Sequence, residues 1–335
     1  MSLLDALSCN NTSGRPPVWL MRQAGRYMPD YQQLRQKHSI DALFHTPDLA
    51  AEVTLLPEKL LGVDALILFS DILMLCELFG LKVSFIDGLS PTVEPRLVTP
   101  QQVAALRAKS ADEMLPFVRE TITRVKGASS LPLLGFCGAP FTVASYMFGG
   151  VDKALAFASE HNKVFHELLN KLAAAASDLL NMQVAAGCMA VQIFDSWGGT
   201  LGYTNFLQYS HLYLQKVVAG VSAPTIVFSR NSSLYPRELS ALNPSAISYD
   251  WFLTMKQLRE RTPEGIAIQG NLDPTFLRDA TGEQVAAAVR GILHDVGHEK
   301  GVIINLGHGV LPTTPLDNVR IFVDTVKSYS CSAAR

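Results

Sequence analysis

Two arginines, Arg22 and Arg26, stand four residues apart in the segment LMRQAGRY (20–27). Cations held so close repel each other unless an anion lies between them. A guanidinium group presents a planar fork of donors that matches a carboxylate, and Arg35 adds a third cation downstream. We expect Gly25 to let this loop turn and approach a ligand closely. The segment therefore predicts a carboxylate or phosphate clamp, unless these arginines pair with surface glutamates instead.

Two other polar residues follow strongly apolar runs. Asp71 ends the run ILFSD, where a carboxylate can accept hydrogen bonds from a substrate, balance a developing positive charge, or deliver a proton if its pKa is raised. The alternative role for Asp71 is to cap the next helix. His308 lies between two glycines in NLGHG, which leaves its imidazole accessible, although single histidines are more often structural. Both residues are candidates for an active site.

The sequence shows no motif for a metal or a nucleophile. The histidines form no His-x-Cys, His-x-His or His-Glu-x-x-His pattern, and we expect His294 and His298, spaced i, i+4, to be solvated. No Gly-x-Ser-x-Gly elbow is present. The cysteines are odd in number and include no Cys-x-x-Cys pair, which favours mostly buried, reduced thiols. They are Cys9, Cys76, Cys137, Cys188 and Cys331.

Eight short apolar runs must position these side chains. Runs rich in Ile, Val, Leu and Phe, without polar alternation, are typical of strands buried on both faces. Stretches with helical periodicity separate them, such as residues 152–187 and 281–300, and Thr281 is a plausible N-cap of the second. The runs are VWLMRQ, DALILFSD, LPLLGFCG, MAVQIFDS, PTIVFSR, AISYDW, GIAIQGNLD and GVIINLGHG.

Alternating strands and helices predict an α/β protein with a parallel sheet, and eight strands predict a closed (β/α)8 TIM barrel as one domain over residues 1–335. An open doubly wound sheet is the alternative, but no Gly-x-Gly-x-x-Gly follows a strand. Polar residues follow the apolar runs, at the end that carries the active-site cleft of a barrel, although each could simply cap a strand or helix. These residues are Asp71, Asp195, Ser196, Ser229, Arg230, Asp250, Asn271, Asp273 and His308.

The composition narrows the classes of partner. With 335 residues, 17% charged and a net charge of −2, the chain has no basic face for nucleic acid, so strong anion binding must come from a local cluster. Residues 127–151 are uncharged, but their prolines and glycines favour a buried strand, a turn and a helix start over a membrane span. The N-terminus carries Asp5 and no basic region before an apolar run. We therefore expect a cytoplasmic protein without a signal peptide.

Six segments together resemble the uroporphyrinogen decarboxylase family of haem biosynthesis, nearly end to end and in the same order. The departures are small: Cys137 stands where the family usually has Ala, Leu56 where many members have Gln, and Cys76-Glu77 replaces a segment that often contains Pro. None of them touches a motif residue. The segments are WLMRQAGRYMPDYQQLR, GVDALILFSDIL, GFCGAPFTVASYM, VQIFDSWGG, GNLDP and NLGHGVLPTTP.

The resemblance implies a single barrel, a homodimer, no metal or organic cofactor, and a cyclic tetrapyrrole substrate with four acetate and four propionate side chains. It implies that Asp71 accepts hydrogen bonds from the pyrrole N–H groups. Arg22 is a candidate proton donor, although a guanidinium is a poor acid. The implied substrate-binding residues are Arg22, Gln23, Ala24, Gly25, Arg26, Arg35, Asp71, Tyr146, Ser196 and His308.

The chemistry can be argued from the substrate. Loss of CO₂ from an acetate leaves a carbanion, and a pyrrole protonated beside the acetate-bearing carbon can accept those electrons without a cofactor. Asp71 would stabilise that cation in a dry cleft. Two alternatives stay open. Corrinoid-dependent methyltransferases share the barrel but use a zinc-bound thiolate, for which the His-x-Cys spacing is missing here, and a tetrapyrrole carrier would differ only in lacking turnover.

Overall fold

Parallel strands form the central sheet of the computed structural model, which describes residues 2–10, 14–86 and 90–330. Seven strands pair in the order β1-β4-β5-β6-β7-β8-β9, each parallel to its neighbour, and β2 and β3 form a separate antiparallel pair. The strands are β1 (Leu66–Ile67), β2 (Lys82–Ser84), β3 (Thr92–Glu94), β4 (Leu133–Gly138), β5 (Ala190–Asp195), β6 (Thr225–Ser229), β7 (Ala246–Ser248), β8 (Ala267–Leu272) and β9 (Val302–Leu306).

Helices connect the strands, as a parallel sheet requires. They are α1 (Leu3–Leu7), α2 (Pro29–Lys37), α3 (Ile40–His45), α4 (Pro47–Leu61), α5 (Met74–Glu77), α6 (Pro100–Ala105), α7 (Ala111–Met114), α8 (Pro116–Ala128), α9 (Pro140–Phe148), α10 (Val151–Glu160), α11 (Asn162–Ala186), α12 (Tyr203–Asn205), α13 (Leu212–Gly220), α14 (Pro236–Ala241), α15 (Met255–Arg261), α16 (Pro274–Asp279), α17 (Gly282–Val296) and α18 (Leu316–Lys327). Short 3₁₀ turns lie at Gly198–Thr200 and Ser232–Leu234, and a π-helical turn lies at Phe206–His211.

Seven of the eight predicted strands are confirmed, whereas the first predicted run makes only one isolated bridge. Val18 pairs in parallel with Ile304 of β9. The Ile304 N–H donates to the Pro17 carbonyl at 2.9 Å, and the Asp64 N–H, two residues before β1, donates to the Val18 carbonyl at 2.8 Å. The first run therefore makes backbone hydrogen bonds beside both edge strands of the sheet, β1 and β9, without forming a regular strand.

An ion pair fixes this first run in place. The Arg15 guanidinium donates to both carboxylate oxygens of Asp64, at 2.6 and 2.8 Å. The Val18 N–H donates to the same carboxylate at 2.8 Å. Both side chains of the pair are about four-fifths buried, so solvent screens the contact only partly.

The inner face of the sheet holds a compact apolar cluster at its N-terminal end. Leu3 and Leu7 of α1 pack there with Trp19 and Ile303. Small residues at or just before the starts of the strands leave room for these side chains, so α1 closes this end of the sheet. The small residues are Ala65, Ala190, Ala246 and Ala267.

The predicted helices are largely confirmed, with one break. Residues 152–187 form two helices, α10 and α11, because His161 leaves the helical conformation between them. Helix α17 begins after Thr281 as expected: the Thr281 side chain accepts from the Gln284 N–H, and the Gln284 side chain accepts from the Thr281 N–H. The uncharged stretch 127–151 holds β4 and α9, and the described part of the chain contains no helix long and apolar enough to cross a membrane.

The thiols follow the expected pattern where the structure describes them. Cys76, Cys137 and Cys188 are buried and free, and Cys9 is partly exposed. Cys331 lies outside the described residues.

Candidate active site

A cleft opens at the carboxyl ends of the parallel strands. It contains about 1020 Å³ of empty space, including its solvent-open mouth. Most of the predicted site residues meet here: the lining includes Arg22, Gln23, Ala24, Asp71, Tyr146, Ser196 and His308.

The cleft has an aromatic floor that sequence reasoning did not identify. The rings of Phe136 and Phe194 meet edge to face, with centroids 5.4 Å apart, and Phe228 lies 5.7 Å beyond Phe194. The His308 ring is perpendicular to Phe228 at 5.3 Å. Because these side chains exclude water, charges above them interact more strongly than they would in solvent.

Asp71 follows β1 and projects into this apolar surrounding. Its Oδ1 accepts from the Leu73 N–H at 2.8 Å, which orders the turn before α5, but the N-cap residue of α5 is Leu73. Oδ2 accepts no hydrogen bond from the described residues. Desolvation raises the pKa of Asp71 to about 6; the Leu73 N–H and the positive charge of Arg22 oppose this rise, and Glu77 adds to it. The carboxylate is therefore mostly ionised at pH 7, at a cost in solvation.

Arg22 is the strained residue of the arginine loop. Its φ is +58°, a left-handed conformation that residues other than glycine seldom adopt and that often marks a functional site. Burial lowers its pKa, the negative charge of Asp71 opposes the change, and Arg26 reinforces it. Its stem crosses Gly309, where a Cβ would lie 2.5 Å from the Arg22 Cδ. The guanidinium makes no ion pair or hydrogen bond with the described part of the protein and faces the cleft.

Two neighbours of Arg22, Gly25 and Gln23, have local structural contacts, and their part in substrate binding stays a prediction. Gly25 has no positive φ, and the nearest atom to a Cβ there would be the Arg22 carbonyl oxygen, at 3.5 Å, which is an ordinary contact, so Gly25 does not provide the unusual turn. The Gln23 side chain accepts from the Leu20 N–H at 3.1 Å and donates to the Ala65 carbonyl at 3.2 Å. That side chain is fully used in holding the loop against the chain that leads into β1.

Three of the predicted binding residues lie outside the lining of the cleft: Gly25, Arg26 and Arg35. Arg26 is exposed near the mouth, close enough for its charge to affect Arg22. Arg35 lies on α2, where its guanidinium donates to the His38 carbonyl at 2.6 Å. Their part in a carboxylate clamp stays a prediction.

Tyr146 and Ser196 provide neutral polar groups in the cleft. Tyr146 lies on α9 with its ring 6.5 Å from that of Trp197, and burial raises its pKa, so its hydroxyl keeps its proton. Ser196 follows β5, and its hydroxyl makes no hydrogen bond with the described residues. Both hydroxyls can therefore serve a ligand.

His308 follows β9 and is held in one neutral form. Its Nδ1 accepts from the Gly309 N–H at 2.7 Å, which places the proton on Nε2. Burial, with the positive charges of Arg22 and Arg230, lowers its pKa to about 4. His308 therefore acts as an uncharged donor at neutral pH.

Asp195, also at a strand end, is a structural residue. Its carboxylate accepts from the hydroxyls of Thr142, Ser210 and Ser229 and from the Gly198 N–H, at 2.7 to 3.3 Å. The alternative of a local structural role is thus confirmed for Asp195 and Ser229.

The same alternative is confirmed for three more residues. Asp250 accepts from the Ser233 hydroxyl at 2.5 Å, and Asn271 donates to the Asp250 carbonyl at 2.9 Å. Asp273 is the N-cap of α16. Only part of the polar set at the strand ends therefore faces the cleft.

Within residues 2–10, 14–86 and 90–330, no three His, Cys, Asp or Glu side chains cluster in a way that could hold a metal ion.

Comparison with known proteins places this cleft in a family. A family model described as uroporphyrinogen decarboxylase (URO-D) matches residues 2–329. A protein of that name from Protochlamydia amoebophila is 42% identical over 332 residues, covering 97% of this chain and 91% of the relative. Another from Geobacter metallireducens is 39% identical, covering 94% of this chain and 95% of the relative.

A solved methyltransferase from Methanosarcina mazei superposes with a TM-score of 0.84 over 97% of both chains, at 20% identity, which demonstrates a shared fold alone. The match over nearly the whole chain and the identity of 36 to 42% to curated relatives assign the family. The chain belongs to the uroporphyrinogen decarboxylase family.

Proposed function

We propose that this protein is a carboxy-lyase that removes CO₂ from the four acetate side chains of uroporphyrinogen III, giving the four methyl groups of coproporphyrinogen III, without a cofactor. One observation carries the proposal: among the described residues that line the cleft, Asp71 is the one carboxylate, it is desolvated, and it shares the cleft with the aromatic floor and with Arg22, which has no acidic partner there. This arrangement complements a ring with N–H donors at its centre and carboxylates around its edge.

Binding follows from this match. Asp71 has one oxygen free of hydrogen bonds to accept from the pyrrole N–H groups. Arg22 fits a substrate carboxylate, and Arg26 and Arg35 would hold carboxylates that extend beyond the cleft. The hydroxyls of Tyr146 and Ser196 and the Nε2–H of His308 add neutral hydrogen bonds, as do the backbone groups of Gln23, Ala24 and Gly25.

The reaction proceeds through a cation on the substrate. A proton adds to the pyrrole carbon next to the acetate-bearing carbon, and the ring becomes an iminium-like cation. The electron pair of the acetate C–C bond then moves into the ring as CO₂ leaves, and the exocyclic methylene takes a proton to become a methyl group. The ring carbon finally releases the proton that it accepted first, which restores the pyrrole. Asp71 stabilises the cation, and Arg22 is the candidate donor of the first proton.

The finer architecture is a closed eight-membered barrel forming one domain over residues 1–335. Backbone hydrogen bonds support closure: the Ile304 N–H donates to the Pro17 carbonyl, the Trp19 N–H donates to the Ile304 carbonyl, and the Asp64 N–H donates to the Val18 carbonyl. They connect the first run to both edge strands of the seven-stranded sheet.

The assembly we propose is a cytoplasmic homodimer. Large apolar side chains on the loops and helix that follow β6, β7 and β8 support an interface there. Leu234 and Phe252 are 65% and 62% exposed, and Trp251 and Phe276 are also exposed. Analytical ultracentrifugation should give twice the chain mass, and Phe252→Asp should give the chain mass. A dimer unaffected by that change would place the interface elsewhere.

The deciding experiment is anaerobic incubation of the purified protein with uroporphyrinogen III, followed by chromatography of the products after oxidation. We expect the eight-carboxylate species to convert to the four-carboxylate species, and activity to survive exhaustive chelation. Binding without conversion would indicate a tetrapyrrole carrier. Activity that is lost on chelation and restored by zinc, together with methyl transfer to a corrinoid, would indicate a methyltransferase.

A further inference from the structure

Arg230 is an exposed cation at the end of β6 that pairs with no acid among the described residues. Its guanidinium lies over the ring of Trp197, whose centroid is 5.7 Å from the guanidinium carbon. Asp195 and Asp250, the buried acids at neighbouring strand ends, are already occupied by hydroxyl and backbone donors. The Arg230 charge therefore has no evident structural purpose in the folded chain.

The backbone that carries Arg230 is firmly held. Its N–H donates to the Asp195 carbonyl at 3.2 Å. Asn231 adopts a left-handed conformation with φ +59°, and its side-chain amide donates to the Gly199 carbonyl at 3.2 Å. A Cβ at Gly199 would collide with the Arg230 carbonyl oxygen, so the two loops are in direct contact. Arg230 thus extends from a fixed point, as a binding residue should.

The side chain of Arg230 lies beside the cleft, next to predicted binding residues, although Arg230 and Trp197 are not part of the lining itself. Trp197 lies between Arg230 and Tyr146, and Ser196 immediately precedes it. The positive charge of Arg230 also acts on His308. A guanidinium stacked on an indole keeps its N–H edges free, so it can still bind a carboxylate in two-point fashion.

We propose that Arg230 binds a peripheral carboxylate of the tetrapyrrole, from a different loop than the one that carries Arg22. This inference rests on the proposed function, because that function supplies a ligand with carboxylates around its whole edge. Two cations on separate loops fix the orientation of such a ring, whereas one cation would let it rotate about a single contact.

The test compares Arg230→Gln, Arg230→Lys and the control Arg290→Gln, which removes the same charge from an exposed position on α17. Two quantities are measured: KM and kcat for uroporphyrinogen, and Kd for its oxidised porphyrin by fluorescence. We expect Arg230→Gln to raise KM and Kd about ten- to a hundredfold with little change in kcat. Lys should restore part of the affinity, and Arg290→Gln should match the wild type.

The outcomes separate the two proposals. Equal KM and Kd for Arg230→Gln and Arg290→Gln, in an enzyme that turns over, would overturn the role of Arg230 and leave the function standing. A wild type that binds the porphyrin through Arg230 but never decarboxylates the porphyrinogen would overturn the function alone. A wild type that neither binds nor reacts would overturn both. A thermal melt of each variant controls for folding.

Discussion

Asp71 holds a negative charge where its surroundings disfavour one. Desolvation outweighs the hydrogen bond from Leu73 and the attraction of Arg22, so the protein disfavours the ionised form of this carboxylate. A cation that forms on the substrate offsets this penalty during the reaction. The charge of Asp71, rather than its shape, should therefore control the rate.

Asp71→Asn tests this argument directly. The amide keeps the size and one acceptor, so we expect KM to stay the same or fall for an anionic substrate. Loss of one such electrostatic contact typically costs about 2.7 to 4 kcal/mol, and kcat should fall roughly a hundredfold to a thousandfold. Asp71→Glu should retain more activity than Asn. A near-normal kcat in the Asn variant, with an unchanged melting temperature, would mean that Asp71 only orders the turn before α5.

The pH dependence of kcat/KM should reflect the ionisation of the same carboxylate, that of Asp71. The pKa of Asp71 in the folded protein, about 6, lies above the ordinary 3.8, so kcat/KM of the wild type should rise with pH through about 6. This rise should be absent in Asp71→Asn.

The free energy of unfolding should depend on pH in the opposite direction to that expected for an aspartate with a lowered pKa. The folded state holds the proton more tightly, so the stability contributed by Asp71 falls as pH rises from 3.8 to 6 and stays low above that.

Asp71→Asn should therefore stabilise the fold at pH 7, by up to about 3 kcal/mol at 1.36 kcal/mol per pH unit, and the gain should vanish near pH 4. Thermal melts at the two pH values measure it. Equal melts for the variant and the wild type at pH 7 would contradict a desolvated carboxylate.

Gly309 is the residue that makes room for Arg22. In Gly309→Ala the new Cβ would overlap the Arg22 stem, so the guanidinium must move and we expect KM to rise about tenfold or more. Gly291→Ala on α17 is the matched control, because a Cβ there meets nothing within 4 Å. Steady-state kinetics decides the question, and an unchanged KM in Gly309→Ala would mean that Arg22 does not touch the substrate.

At the scale of elements, the first run of the chain depends on one ion pair. Asp64→Ala removes the contacts to Arg15 and to the Val18 N–H, which precede the Arg22 loop by a few residues. Hydrogen bonds to charged groups contribute about 1.5 to 3 kcal/mol, so we expect the free energy of unfolding to fall by that amount and KM to rise as the loop loosens. Urea titration and kinetics measure these effects.

Asp317→Ala is the control for that change, because its pair with Arg320 is exposed and should contribute little. If Asp64→Ala and Asp317→Ala lowered stability equally, the anchoring role of Asp64 would be refuted.

Sequence patterns predicted the elements well where burial is continuous. The runs that became β4, β5, β6, β8 and β9 are buried along almost their entire length, which is what the apolar pattern measures. The first run is equally apolar, but Val18 forms a single bridge because the chain turns at Arg22 soon afterwards. The pair β2 and β3 was missed because three-residue strands carry too few residues to show a period.

Sequence patterns could predict only those site residues that are polar or charged where an apolar residue is expected. Asp71, Arg22 and His308 stood out as polar groups after apolar runs. Phe136 was not identified, because an aromatic residue in a buried strand looks the same whether it packs in a core or floors a cleft. Hydrogen-bond partners distant in sequence decide that Asp195 is structural, and no local pattern contains them.

In the whole molecule, the residues that stabilise the fold and those that form the cleft lie at opposite ends of the parallel strands. The N-terminal end is filled by α1, and the C-terminal end carries the cleft. Leu7→Ala should therefore lower the free energy of unfolding by about 2 to 5 kcal/mol, the usual cost of a buried leucine, with KM and the pH profile of the remaining folded enzyme unchanged. Denaturant unfolding and kinetics measure both. A rise in KM as large as that in Gly309→Ala would show that the two ends are mechanically linked.

The guanidinium groups of Arg22, Arg26 and Arg230 form no ion pair with the described residues, and this has a further consequence for how long a ligand stays bound. Their positive charge is constant, whereas the substrate loses one negative charge with each CO₂ released. Each successive intermediate should thus dissociate faster than the one before, and the fully reacted product fastest of all. Since salt screens such attraction over about 10 Å at 0.1 M, raising the ionic strength should shorten every residence time and release partly reacted intermediates that remain bound at low salt.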